Sequence, residues 1–259
     1  QPGSGSMFMQ CNRNKKGVTL NPTKPEGREI QDKLIATADV VIANMPPRAL
    51  QGLGLDYDSL KAIKPDIILV TNTAFGTVGP YAKKVGFDSV AQAMSGNMIM
   101  SGSPSQPAKS FGPWVDYGTA GLCAFGTMAA IMHRNATGEG QEVQGALLAT
   151  ALMTTNSIMT EEHVTQRGRV PTGNRGQVSA PSDLFATKDG HIYVICAGQP
   201  MYERWASLMG DNHWLTEERF ATDDDRAENS AEISARMQIW CADKTTKEAM
   251  DILEEHRIP

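Results

Sequence analysis

The chain has 259 residues, 41% hydrophobic and 20% charged, with a formal net charge of -5. That is room for one large domain or a domain and a half with an ordinary soluble composition. The acidic balance excludes wholesale nucleic-acid binding, and no apolar run is long enough to span a bilayer, so neither nucleic acid nor a membrane is an expected partner. The four cysteines are widely spaced without a Cys-x-x-Cys pair, and the five histidines are scattered. No zinc-type spacing exists, so no metal is expected, and a reducing cytoplasm is the expected compartment. Gln1-Pro2-Gly3-Ser4-Gly5-Ser6 reads as a cloning scar outside the native fold, which leaves Met7 as its expected first residue.

Helices and strands alternate from there. Glu26 to Ala38 follows Pro25 and carries Ile30, Leu34 and Ile35 at helical spacing. Asp39 to Ala43 and Ile67 to Thr71 are short continuous apolar runs, the mark of buried parallel strands. Between them, Ala49 to Ile63 holds short helical pieces split by Gly52-Leu53-Gly54. A strand at Gln141 to Gln144 and a helix from about Ala146 to Glu162 follow later. This alternation predicts an α/β fold: a parallel, Rossmann-like sheet with helices on both faces, over residues 7–166. Residues 167–182, rich in Gly, Pro, Arg and Ser, read as a linker or active-site loop. A smaller α+β domain over 183–259 follows, opened by a hairpin whose Lys188-Asp189-Gly190 turn joins two apolar runs, with helices at Met201–Met209, Ser230–Asp243 and Thr246–His256.

The sharpest local feature is Asp116, in Phe111-Gly112-Pro113-Trp114-Val115-Asp116-Tyr117-Gly118. Gly112-Pro113 interrupts regular structure, and beyond it Leu122, Phe125, Ala129 and Met132 mark one face of an expected buried helix that stops at Thr137-Gly138. Asp116 therefore sits where a loop becomes a helix. One reading is an N-cap. The other is a carboxylate nucleophile, kept ionised by the helix N-terminus and approachable beside Gly118 and Gly121. Local sequence leaves both open.

Several segments, in order, resemble the class III CoA-transferase family (the CaiB/BaiF type, with formyl-CoA transferase, carnitine CoA-transferase and α-methylacyl-CoA racemase). They are Asn12-Arg13-Asn14-Lys15-Lys16, Ala38 to Asn44, Leu53-Gly54-Leu55-Asp56, Thr73-Ala74-Phe75-Gly76, Gly86-Phe87-Asp88-Ser89, Gln92 to Gly96, Thr137 to Gln141 and Glu218-Arg219-Phe220. The family's catalytic aspartate stands where Asp116 stands, which favours the nucleophile. The resemblance implies coenzyme A, as acyl-CoA substrate, bound by Asn44, Met45, Ala49 and Phe87, with Asn14 and Lys15 near its nucleotide end. Some relatives place an arginine at the position of Gly52; Arg48, one helical turn earlier, is the expected substitute. The family's glycine loop is represented by Gly173 and Gly176.

The implied activity is CoA transfer between carboxylic acids through an aspartyl intermediate, with an acyl-CoA and an acceptor acid as partners. A homodimer or larger homo-oligomer is expected. Two other readings stand beside it. The racemase branch carries a proton-moving histidine where this chain has Phe87, so 2-methylacyl-CoA racemisation ranks below transfer. Family members also begin with a strand and helix before this chain's first residues and continue past Pro259. A truncated, non-catalytic remnant that folds and self-associates is therefore the third reading.

Overall fold

In the computed structural model, residues 5–259 are described. The expected scar lies mostly outside them, although Ser6 already opens the first helix, α1 (Ser6–Cys11). The chain continues with α2 (Pro25–Thr37), β1 (Val40–Ala43), α3 (Pro47–Leu53), α4 (Tyr57–Ile63), β2 (Ile68–Thr73), α5 (Asp88–Met94), α6 (Asn97–Met100), α7 (Trp114–Thr137), β3 (Glu142–Ala146) and α8 (Leu147–Thr165). Then come β4 (Ser182–Ala186), β5 (His191–Ile195), α9 (Gln199–Met209), two 3-10 turns, α10 (Asp223–Glu228), α11 (Ser230–Cys241) and α12 (Thr246–Glu255). No described helix is long and apolar enough to cross a membrane.

The chain forms two compact units, each built from two stretches: up to Ala91 with Pro113–Met153, and Gln92–Gly112 with Thr154–Pro259. In the first, β1, β2 and β3 make a parallel sheet in that order. Strand alternation sends Ile67 and Leu69 to one face, where they pack with Ile35 and Leu60 of α2 and α4. Ile68 and Val70 point to the other face and meet Cys123 and Ala130 of α7. The sheet is thus covered on both faces, as expected for parallel strands.

Two faces differ from the sequence pattern. On α2 the inward residues are Gly27, Gln31 and Ile35, while Ile30 and Leu34 are exposed. Gln31 turns inward because its Nε2 donates to the Leu53 carbonyl at the end of α3 (2.8 Å). On α7 the inward residues are Val115, Thr119, Cys123 and Ala130. Leu122, Phe125 and Met132 are exposed, Phe125 by 76% and Met132 by 70%. Close approach explains the inversion. A Cβ on Gly126 would lie 2.8 Å from Val143 of β3, so only small side chains fit between this helix and the sheet.

In the second unit, β4 and β5 form the expected antiparallel hairpin. Its inward side chains join one aromatic-rich core with Tyr202, Trp205, Trp214 and Phe220. The Tyr202 and Trp205 rings stack at 5.6 Å. Arg226 is buried in this core, where it donates to Asp223 (2.7 Å), Gln199 (2.8 Å) and the Phe220 carbonyl (2.8 Å) and lies over the Tyr202 ring.

Candidate active site

Helix α7 begins after Pro113, whose φ of -79° suits the approach to a helix, and Asp116 is its third residue. The N-cap reading of Asp116 is therefore corrected. A helix start still leaves its first N–H groups without acceptors, and here the acceptor comes from elsewhere. The Asp88 carboxylate, at the start of α5, takes the backbone N–H of Val115 (2.8 Å) and of Asp116 (3.2 Å). Asp88 is buried, whereas Asp116 is exposed. Those two N–H groups thus have an acceptor, and a further expectation changes. The Asp116 carboxyl is pushed above its usual range, first by loss of hydration and second by the neighbouring Asp88 charge, rather than held down by the helix end.

The surroundings of Asp116 are small and polar. Thr119 Oγ1 donates to the Val115 carbonyl (2.7 Å) and meets Thr150 Oγ1 of α8 (2.8 Å). A side chain at Gly118 would press on Thr150, so this glycine serves packing, while Gly121 faces open space. Cys11 Sγ of α1 lies 3.7 Å from Tyr117 Oη, which brings the N-terminal segment to the same helix end.

A cleft of about 200 Å³ opens beyond the carboxyl ends of β1 and β2, lined by Asn44, Pro47, Thr73, Ala74, Lys84 and Phe87 among others. This is where parallel α/β sheets receive ligands. Of the expected coenzyme residues, Asn44 and Phe87 meet here. Phe87 is 78% exposed at the rim. Met45 and Ala49 are half-buried beside it in the chain but do not line it. Arg48 is exposed in the first turn of α3; because Pro47–Leu53 is helical, it stands one turn from Gly52. Asn14 and Lys15 are exposed after α1, Asn14 with a φ of 62°, and neither lines the cleft. The cleft is smaller than the roughly 300 Å³ at which whole-ligand sites begin. Its mostly apolar wall with one lysine suits a narrow arm of a coenzyme rather than all of it. Phe87 and Asp88 are adjacent, so one step of chain joins the cleft rim to the residue that holds Asp116.

The loop after α8 is tightly tied within its own unit. Arg169 donates to Glu161 (2.8 Å) and to the Gln177 carbonyl (2.8 Å). Gly173 has a φ of 68° and its N–H donates to the Gly102 carbonyl (2.9 Å). Gly176 N–H donates to the Ser182 carbonyl (2.6 Å), and a Cβ there would run into the Ser182 side chain. Sequence reading missed Asp88 as a partner of Asp116. The one available signal was an aspartate opening a helix inside a recognised motif.

Fold and site together define a parallel α/β protein with a carboxylate in the first turn of a helix and a cleft at the strand ends. The whole chain, residues 1–259, matches the profile of CoA-transferase family III, and it belongs to that family. A succinyl-CoA–D-citramalate CoA-transferase of Chloroflexus aurantiacus is 32% identical over 95% of this chain and 62% of its own length. A succinate–glutarate CoA-transferase of Agrobacterium fabrum is 28% identical over 99% of this chain and 64% of its own. The chain thus spans less than two thirds of the length of these curated relatives. A crystal structure of a CAIB/BAIF family protein from Brucella suis superposes with a TM-score of 0.80 at 30% identity, covering 96% of this chain and 66% of that one. That of a hypothetical protein from Mycobacterium tuberculosis gives 0.82 at 28%, covering 96% and 69%.

Proposed function

We propose that this protein transfers CoA between carboxylic acids, with Asp116 as covalent nucleophile. The observation that carries this reading is Asp116 itself: an accessible carboxylate, raised toward greater basicity, in a first helical turn held by Asp88, whose chain neighbour Phe87 stands at the rim of the strand-end cleft. The Asp116 carboxylate attacks the thioester carbonyl of an acyl-CoA, forming a mixed anhydride as the C–S bond breaks and CoA thiolate leaves. The thiolate attacks the aspartyl carbonyl of the anhydride, releasing the first acid and leaving CoA on Asp116 as a thioester. The acceptor carboxylate repeats the sequence in reverse, forming the new acyl-CoA and freeing Asp116. The cleft holds the coenzyme arm near the carboxylate and limits water, which otherwise competes for both acyl intermediates. The names of relatives such as those acting on citramalate or glutarate make small diacids the first acceptors to assay.

We also read the exposed apolar side of α7, Leu122, Phe125, Met128 and Met132, as a surface for self-association into a homo-oligomer.

Incubation with succinyl-CoA and then hydroxylamine, followed by peptide mass spectrometry, tests the nucleophile. A hydroxamate at Asp116 is expected, with none in a folded Asp116→Ala variant; a modified peptide elsewhere, or undiminished transfer by that variant, would overturn the assignment. For the racemase reading, the phenyl ring of Phe87 cannot donate or accept a proton. Incubating 2-methylacyl-CoA in deuterated water should show exchange no faster than without protein, and rapid uptake would reverse the ranking.

A further inference from the structure

We infer that Asp88 is the positioning residue for Asp116, fixing the first turn of α7 through two backbone hydrogen bonds and placing a second carboxylate beside the nucleophile. The inference rests on the reading of Asp116 as nucleophile and adds to it a residue that orients the nucleophile and sets its basicity.

Three observations converge. No side chain adjacent to the start of α7 caps it, since Pro113 occupies that position. Asp88, buried and 27 and 28 residues away in sequence, supplies the acceptor for both Val115 and Asp116 at 2.8 and 3.2 Å. The backbone that aims the Asp116 side chain is therefore held by a different helix. The bonds also put charge at the helix end. A free helix N-terminus carries roughly half a positive charge and draws down the pKa of a carboxyl in its first turn. A carboxylate bound to those same N–H groups opposes that field. Asp116 thereby escapes the stabilisation a bare helix end would give its ionised form, and partial loss of hydration together with the Asp88 charge moves it upward instead. A more basic carboxylate is the better nucleophile once ionised. Tyr117 on α7 and Cys11 on α1, in contact with each other, are further titratable groups at this end.

Two substitutions separate the two effects. Asp88→Asn keeps an oxygen acceptor and removes the charge; Asp88→Ala removes both. Side-chain carboxyl carbons are followed by NMR from about pH 2 to about pH 8, with Asp116→Asn identifying the Asp116 signal. In the unaltered protein Asp116 titrates above the usual aspartate range. In Asp88→Asn its midpoint falls, while hydrogen-exchange protection of the Val115 and Asp116 amides is kept. In Asp88→Ala that protection drops about tenfold, the equivalent of one lost charge-assisted bond. An unchanged Asp116 midpoint in Asp88→Asn overturns the electrostatic half. Protection lost equally in Asp88→Asn and Asp88→Ala overturns the acceptor half. Should Asp88→Ala fail to fold, Asp88→Asn alone decides both through its midpoint and amide protection. None of these readings needs turnover, so a failed hydroxamate experiment at Asp116 would remove its role as nucleophile and leave the Asp88 contact standing.

Discussion

The two units solve the problem of burial differently. The second gathers 17 buried apolar residues into one continuous core around Tyr202, Trp205, Trp214 and Phe220. The first, which carries Asp116, divides its core into three clusters of four buried residues each, two of them separated by the sheet. A sheet covered on both faces must make two thin cores instead of one thick one. Its large apolar side chains then overflow to the outside, where Phe125, Met128, Met132 and Ile42 are exposed. The unit with the candidate site is thus the one whose buried apolar residues are divided among small clusters. Its polar site is accordingly built by backbone capping at strand and helix ends, not by a packed pocket.

The largest expected effect breaks the robust side of this comparison. Arg226→Ala removes the donor to Gln199, the Phe220 carbonyl and Asp223, which is partly exposed and keeps the Gly198 N–H, at a cost of about 2–3 kcal/mol. Urea unfolding followed by tryptophan fluorescence should show it, because Trp205, Trp214 and Trp240 all lie in that unit. A loss below about 1 kcal/mol would mean that the single core does not depend on its buried cation.

A smaller effect of opposite sign is expected in the first unit. The folded-state pKa of Asp116 is raised, so the contribution of this group to stability is fully present below the ordinary aspartate range and is lost as pH rises through the folded value. Asp116→Asn should therefore unfold at a higher temperature than the parent at pH 7, by roughly 1 kcal/mol or less because the side chain is exposed and screened by solvent. The gain should vanish near about pH 3, where both states hold the proton. Thermal melts at the two pH values check the sign, and a destabilised variant at neutral pH would contradict it.

The smallest expected change in folding energy belongs to the outer side of α7. Phe125→Ser should alter stability by less than about 0.5 kcal/mol, since the ring is already 76% exposed. Light scattering after size exclusion should nonetheless report a lower oligomer fraction. An unchanged mass distribution would show that this face is not where copies meet.

Much of this architecture is legible in the residues. Continuous runs such as Ile67 to Thr71 mark buried strands, and Asp189-Gly190 marks the hairpin, because strand burial and turn chemistry are local properties. Facing is harder to read. Periodicity picks out the large residues Leu122, Phe125 and Met132, yet the sheet side of α7 is made of Thr119, Cys123, Gly126 and Ala130, because β3 comes too close for anything larger. What caps the start of α7 was hidden for another reason. Its acceptor is Asp88, far back in the chain, and no local rule connects an aspartate on one helix with the amides of another.

The units also interleave along the chain, passing from one to the other after Ala91, Gly112 and Met153. Two of those passages fall inside the helices α5 and α8. No single cut in the gene therefore yields two self-contained pieces: a fragment from residue 154 onward lacks the 92–112 stretch, including the Ser95 and Gly102 carbonyls that accept from Thr155 and Gly173. Simple fusion or exchange of one half is closed to such a chain. Exchange of one unit between such chains instead requires matched breakpoints at all three passages.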